Sequence, residues 1–449
     1  MAGTDIAAKI AELMPGLRHD LQTLVRIPSI SGPGRPSEPL LEAHEEVARL
    51  FREAGADVDV LELPDTAPVV IGGIPAPPGA PTVLLYSHYD VVPPGDVALW
   101  STPPFEPVER DGAIYGRGTA DTKSNILVHV GALRAWDGRP PVGIKLAIEG
   151  NEEIGGAAFT GYPAEHPEPF AADAMIIGDA GSVRPGIPTL TVALRGMANV
   201  DVEVRTLASA KHSGMFGGAA PDALVALIHA LSTLHDEHGD VAVEGLLRTP
   251  WTGLGPDAEE LRELAEIRDG LPLVGTGDLG SRLWSGPAIT VIGLDATPVD
   301  HAINAVIPFA RARLNVRVHP AQDPLEAQAA VIAHLRALRP FGVDLTVTAG
   351  ETGPGFSAKT DSLTYDAARA SWADAWGADT VEIGVGGSIP VVSALQQAAP
   401  DADVLLVGSA DGYANIHGPN ERVLLDEFEK ATVAEAEFFG RYAAAWAAR

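Results

Sequence analysis

Apolar residues at Ile6, Ile10, Leu13, Leu17, Leu21 and Leu24 recur at helical spacing with charges between them, and they predict an amphipathic helix early in the chain. A second helix is predicted over residues 39–54, stopping at Gly55, a residue suited to closing a helix. Short apolar runs then predict strands over 57–61, 69–72, 82–87, 143–148 and 174–177, with a helix over 125–136 among them. Helix and strand in alternation imply an α/β domain, a helix-covered and mainly parallel sheet whose ligands gather at the carboxyl ends of the strands.

From about residue 189 the pattern changes. The stretch TVALRGMANVDVEVRT alternates apolar and polar, the mark of a half-exposed strand. A helix (222–234), strands (288–293 and 309–318), a helix (324–338) and a strand (343–349) follow. That order, β-α-β-β-α-β, is the ferredoxin-like α+β arrangement. The chain then returns to α/β with a helix over 362–376, strands near Val381 and Val404, and a last helix from Leu425. The expected organisation is a first domain made of residues 1–187 and 353–449, interrupted by a second at 188–352. Residues 240–286, rich in glycine, proline and charge, fit neither scheme.

Charge narrows the partners. With 60 acidic and 31 basic residues in 449, the formal charge is −29, and the field repels nucleic acid and anionic membranes alike. No cysteine is present, which excludes disulfides, thiolate nucleophiles and cysteine-ligated zinc. No apolar run approaches the roughly 20 residues of a membrane span. The first helix lacks the pattern of a signal peptide, so a cytoplasmic protein is expected.

Five short segments end predicted strands or fill turns with residues able to carry chemistry. LLYSHYD delivers His88 and Asp90; a carboxylate two residues on can hold the ring of a metal-binding histidine, although H-x-D also ends many strands without function. In YGRGTADTKSN, Asp121 precedes a helix, where it could equally be a cap. AIEGNEEIGG places Glu152 and Glu153 side by side between glycines, so that one could bind a cation while the other accepts a proton, or both could simply favour a helix start. AMIIGDAG ends in Asp179, and YANIHGPNE carries His417 in a polar turn. Two histidines with three or four carboxylates form a nitrogen and oxygen ligand set that suits zinc, manganese or cobalt. A shared carboxylate could hold two such ions about 3.5–4 Å apart.

The motifs H-x-D (88–90), G-R-G-x-x-D-x-K (116–123), E-G-x-E-E (149–153), G-D (178–179), H-S-G (212–214), G-G-S-I-P (386–390) and H-x-P-N-E (417–421) together are specific. Over nearly its whole length the chain resembles the co-catalytic zinc exopeptidases, which include carnosinases, cytosolic non-specific dipeptidases, aminoacylases and carboxypeptidase G-type enzymes; it is most similar to the dipeptidase branch. The resemblance implies two divalent ions, with His88, Asp121 and Asp179 on one and Asp121, Glu153 and His417 on the other. Asp121 would bridge and be followed by a cis peptide to Thr122. Glu152 would be general base and then acid, and Asp90 would support His88.

The second domain would be the family's lid and dimerisation domain. Its His212 would act on the scissile carbonyl in the site of the neighbouring subunit of a homodimer, Arg317 would clamp a substrate carboxylate, and Gly387 and Ser388 would contact substrate. The implied reaction is hydrolysis of the amide bond of a dipeptide or short peptide next to a free C-terminal carboxylate, with a metal-bridged hydroxide as nucleophile. The rival is an N-acyl-amino-acid amidohydrolase on the same metal site; a metal-binding relative without catalysis is the alternative from another class. Two departures bear on substrate rather than on ligands: DTKS stands where the dipeptidase branch has D-D-K-G, and Val385 stands where it has glutamate. A dinucleotide fingerprint is broken in GVGGSI, and no G-x-S-x-G elbow occurs.

Overall fold

In a computed structural model, which describes residues 5–387 and 389–449, the chain forms two compact units. The first comprises the described residues within 1–192, 358–383 and 390–449; the second comprises those within 193–357 and 384–389.

The first unit is built on a sheet whose strands lie in the order Asp57–Leu61, Val69–Ile74, Gly143–Glu149, Thr82–His88, Ala174–Gly178, Asp403–Val407 and Thr189–Leu194. The four strands from Gly143–Glu149 to Asp403–Val407 are mutually parallel. Parallel strands are covered on both faces, which explains why their sequences are continuous apolar runs rather than alternating ones. Val83, Leu85, Ile144, Leu146, Ile148, Ile176 and Leu405 share one core with the helices Ile6–Arg26, Glu38–Glu53, Ser124–Ala135, Leu363–Trp376 and Leu425–Ala447. Leu84, Met175, Ile177, Val404 and Leu406, which point the other way, are buried too. The expected α/β class is the observed one.

The register aligns the strand ends. His88 pairs with Glu149, Tyr86 with Ile177, and Val407 with Gly178. The residues just beyond these positions therefore emerge along one edge of the sheet, at the carboxyl ends.

The second unit is a four-stranded antiparallel sheet in the order Ala288–Asp295, Phe309–Val318, Gly196–Arg205 and Thr346–Gly353. Its helices Ala223–Ser232 and Pro324–Ala337 pack through Ala226, Leu227, Ala230, Ala327, Val331 and Leu335 onto Val200, Val202, Leu314 and Val316. Strands and helices follow one another as β-α-β-β-α-β. The last strand begins at Thr346 rather than Val343, because Pro340–Gly342 makes a short 3-10 turn after the helix. Between Leu234 and Ala288 the chain carries two short helices, Ala258–Leu264 and Leu279–Leu283. Among the described residues, no helix is long and apolar enough to cross a membrane.

Candidate active site

The strand Thr82–His88 ends with its histidine fully buried. His88 Nδ1 lies 3.1 Å from the backbone carbonyl oxygen of Asp90. A carbonyl oxygen only accepts, so Nδ1 carries a proton and Nε2 is the nitrogen turned to the cluster. That Nε2 faces two carboxylates, Asp121 Oδ1 at 3.1 Å and Asp179 Oδ1 at 3.4 Å.

Asp90 does more than the sequence reading expected of it. Its Oδ1 is 3.4 Å from His88 Nδ1 and also accepts from the backbone N–H of Glu152 at 3.2 Å; its Oδ2 accepts from the N–H of Glu153 at 3.1 Å. One buried carboxylate thus anchors the 3-10 turn Glu152–Ile154 that presents both glutamates. Their side chains diverge, as adjacent residues of a tight turn do. Glu153 Oε2 is 3.0 Å from His417 Nε2. A carboxylate oxygen of Glu152 groups with His88 and Asp179, with potential ligand atoms all within 4.8 Å of one another, and His88, Asp121 and Glu153 form a second such group.

Asp121 stands between the two imidazoles. Its Oδ1 faces His88 Nε2 and its Oδ2 lies 3.1 Å from His417 Nε2. The Asp121–Thr122 peptide bond is cis. The loop is shaped by Glu421, a fully buried carboxylate. Glu421 accepts from the backbone N–H groups of Gly118, Ala120 and Asp121 at 2.9–3.1 Å and from Arg117 Nη1 at 2.5 Å. Arg117 Nη2 in turn donates to the carbonyls of His417 and Gly418. One ion pair therefore ties the Asp121 loop to the His417 loop. Beneath it, the buried Lys123 donates to the carbonyls of Leu24 and Ile27, at the end of the first helix, both at 2.9 Å. Burial pulls Lys123 down to about 7. Glu421, Arg117 and Lys123 fall inside motifs noted in the sequence, but their partners lie far along the chain, and no local pattern signals the roles.

The charges are mismatched in a telling way. Burial and the Asp179 charge push Glu152 up to about 9, and burial lifts Asp179 to about 6. Burial also lifts Glu149 to about 8 while it accepts a 2.8 Å hydrogen bond from Tyr86. The hydrogen bonds to Asp121 and Glu153 raise His417 to about 10. Burial opposes ionisation of His88 and Asp121, yet their mutual contacts win, holding His88 above and Asp121 below its ordinary value. The cluster has more carboxylate than it can keep ionised without cations.

The donor set fits metal ions. Zinc binds imidazole nitrogen and carboxylate oxygen at 2.0–2.2 Å, so two ligands of a tetrahedral ion stand about 3.3 Å apart. The four Nε2-to-oxygen separations here are 3.1, 3.4, 3.1 and 3.0 Å. His88, Asp121, Glu153, Asp179 and His417 come together in the first unit. His212, Arg317 and Gly387 belong to the second: His212 is exposed on the short strand Lys211–His212, and Arg317 is half-buried on Phe309–Val318, paired with Met197 and Ala288. Ser388 lies outside the described residues.

Known proteins resemble this chain in sequence and in fold. Over 413 residues, 89% of this chain and 90% of the other, the sequence is 42% identical to the cysteinylglycine-S-conjugate dipeptidase of Corynebacterium striatum. The fold superposes on human carnosine dipeptidase 1 with a TM-score of 0.80 at 24% identity, covering 98% of both chains. It superposes on the di-peptidase Dug1p of Saccharomyces cerevisiae with a TM-score of 0.79 at 22% identity, again over 98% of each. The pattern of peptidase family M20/M25/M40 matches residues 84–441, a span that takes in the strand ending at His88, the Asp121 loop and the turn of His417: the chain belongs to that family.

Proposed function

We propose that the protein is a dinuclear metallodipeptidase, hydrolysing the amide bond of a small dipeptide that ends in a free carboxylate. The observation that carries the reading is the placement of Asp121, one oxygen toward His88 and the other toward His417, as a carboxylate shared by two ions requires. One ion would be held by His88, Asp121 and Asp179 and the other by Asp121, Glu153 and His417, with zinc preferred for this nitrogen and oxygen set over manganese or cobalt. When bound, the pair supplies Lewis acidity to the scissile carbonyl and makes water acidic near neutral pH.

The protein's own groups do the rest. Glu152, as the carboxylate, takes a proton from the attacking water and hands it to the leaving amine as the C–N bond breaks. Asp90 keeps Glu152 in place through its backbone N–H. His212 would donate to the oxyanion in the partner subunit's site, Arg317 would clamp the substrate carboxylate, and Gly387 and Ser388 would line the pocket. A homodimer through the second unit, acting in the cytoplasm, belongs to the same reading. The outer strand Ala288–Asp295, with exposed Val291, Ile292 and Leu294, offers an open edge for such pairing.

The test is metal analysis of Glu152→Gln beside the wild type, with a panel of dipeptides, cysteinylglycine S-conjugates among them, against N-acyl amino acids. Glu152→Gln is expected to keep its ions and lose about 10²–10⁴-fold in kcat. Turnover close to wild type would remove Glu152 from the proton transfer, and a preference for acylated amino acids would replace the dipeptidase reading.

A further inference from the structure

Arg195 lies at the start of the second unit's first long strand and is 93% buried, with a relative exposure of 7%. Its backbone N–H donates to Val385 at 3.2 Å, and its Nη1 makes two long bonds, 3.3 Å each, to the carbonyls of Arg282 and Gly286. Its Nε has no partner. Among the described residues no carboxylate pairs with it. Its charged neighbour is another cation: Arg317 sits diagonally across the ladder, in the pair next to Gly196 and Val318, and is itself half-buried, with no carboxylate paired to it among the described residues. Burial first, and then the Arg317 charge, pull Arg195 down to about 10.

A buried guanidinium held by weak carbonyl contacts and facing a like charge is unfavourable on its own. Such a pair becomes favourable when an anion joins it, because planar guanidinium forks match the two oxygens of a carboxylate. In a chain of net charge −29, a local reversal of sign is also what an anionic ligand needs in order to bind. The surrounding chain is built to hold this pair open. A Cβ added to Gly386 would stand 2.9 Å from Arg195 Nη2, so the glycine leaves that nitrogen uncovered. Gly384 packs against Trp284, which meets Trp251 edge to face at 5.2 Å. Trp251, Arg282, Trp284 and Gly286 all come from residues 240–286, the stretch that fits neither sequence pattern.

We infer that Arg195 is a second carboxylate-binding residue beside Arg317, and that the 240–286 excursion exists to seat Arg195 and the Gly384–Gly387 loop against the substrate's C-terminal carboxylate. The inference rests on the proposed dipeptidase reading, in which Arg317 alone was assigned that task. The excursion then acts as a specificity element: it selects ligands that end in a carboxylate over those that end in an amide.

The test compares two inhibitors of the metal-loaded enzyme. One is a dipeptide analogue whose scissile carbonyl is a methylene, as the free acid; the other is the same compound as its C-terminal amide. The wild type is expected to favour the acid. In Arg195→Gln the ratio of amide to acid inhibition constants should fall about tenfold or more, as expected for loss of a charge-assisted hydrogen bond. Arg195→Lys should recover part of the ratio. Arg317→Gln should behave alike, and the double variant should lose less than the product of the two singles, because both groups serve one carboxylate. A purely structural role for Arg195 would weaken both inhibitors equally and leave the ratio unchanged, which overturns the inference while Arg317 keeps its effect. If neither arginine moves the ratio in an enzyme that still hydrolyses dipeptides, the carboxylate clamp itself is wrong. Loss of the effect in the free acid together with protection by inorganic sulfate alone would mark a bare anion site and also overturn the proposal.

Discussion

The acidic cluster around His88 and the guanidinium pair of Arg195 and Arg317 are both concentrations of one charge, yet they are stabilised in opposite ways. In the first, imidazoles interleave with carboxylates at 3.0–3.4 Å, and backbone N–H groups and Arg117 neutralise the supporting acids. In the second, among the described residues, Arg195 meets carbonyls and the Arg317 charge but no carboxylate. A cluster rich in crossed contacts marks a place where ions are to be caged. A pair left without counter-charge marks a place where a ligand completes the balance. The contrast separates groups arranged for chemistry from groups arranged for recognition, and it can be broken at either end.

The largest effect is expected at the carboxylate that both imidazoles share. Asp121→Asn removes charge from both halves of the cluster at once, whereas His417→Ala removes a donor from one. Asp121→Asn should lose most of its metal and on the order of 10³-fold or more in kcat/KM, several kcal/mol of transition-state stabilisation. His417→Ala should retain about half the metal content and lose less activity. Metal per chain after dialysis, measured beside kcat/KM, checks both. If Asp121→Asn holds as much metal as His417→Ala, Asp121 is not the shared group and the cage described here is not a single unit.

The two regions also differ in how far the sequence discloses them. His88, Asp179 and the two glutamates follow apolar runs, and a parallel strand buried on both faces is readable as such a run, so its end is readable too. The β-α-β-β-α-β order of the second unit is visible for a similar reason: half-exposed strands alternate. Glu421 is harder. It acts on Arg117, 304 residues away, and nothing local to either residue announces the pair. Arg195 is harder still, because it sits inside an alternating strand pattern where a charged residue reads as solvent-facing. An irregular segment reaches it through the carbonyls of Arg282 and Gly286, and the side chain is buried. Irregular backbone has no period, and its contacts cannot be derived from spacing.

That packing gives a second, intermediate prediction on the recognition side. A Cβ at Gly384 would lie 2.5 Å from Trp284 Cβ and 2.8 Å from its Cγ. Gly384→Ala must therefore move the buried indole, an overpacking change of about 1–3 kcal/mol. Urea unfolding should show that loss. Because Trp284 stands between the two carbonyls that hold Arg195, KM for a dipeptide should rise while metal content stays at the wild-type level. Unchanged KM and stability would mean that the excursion is not a brace for the pocket.

The smallest effect sharpens the comparison from the first unit, where an ion pair exists without any ligand in view. His129 and Glu435 are both 1% exposed. His129 Nδ1 lies 2.8 Å from Glu435 Oε1 and its Nε2 lies 3.1 Å from the Tyr86 carbonyl oxygen. Both acceptors call for N–H, so the ring is the imidazolium. Burial opposes that charge, but Glu435 and the carbonyl outweigh it and raise His129 above its ordinary value. A group whose pKa is raised on folding contributes stability that is fully present below the unfolded value, about 6.5, and is lost as pH rises through the folded value. Glu435→Gln keeps the shape and removes the charge. The wild type should exceed it by about 1 kcal/mol near pH 6, and the gap should close as pH rises into the alkaline range. Chemical denaturation of both proteins across that range reads the gap directly. A gap that widens with pH would mean that His129 is neutral in the fold, and that buried charge in this unit is not balanced pair by pair.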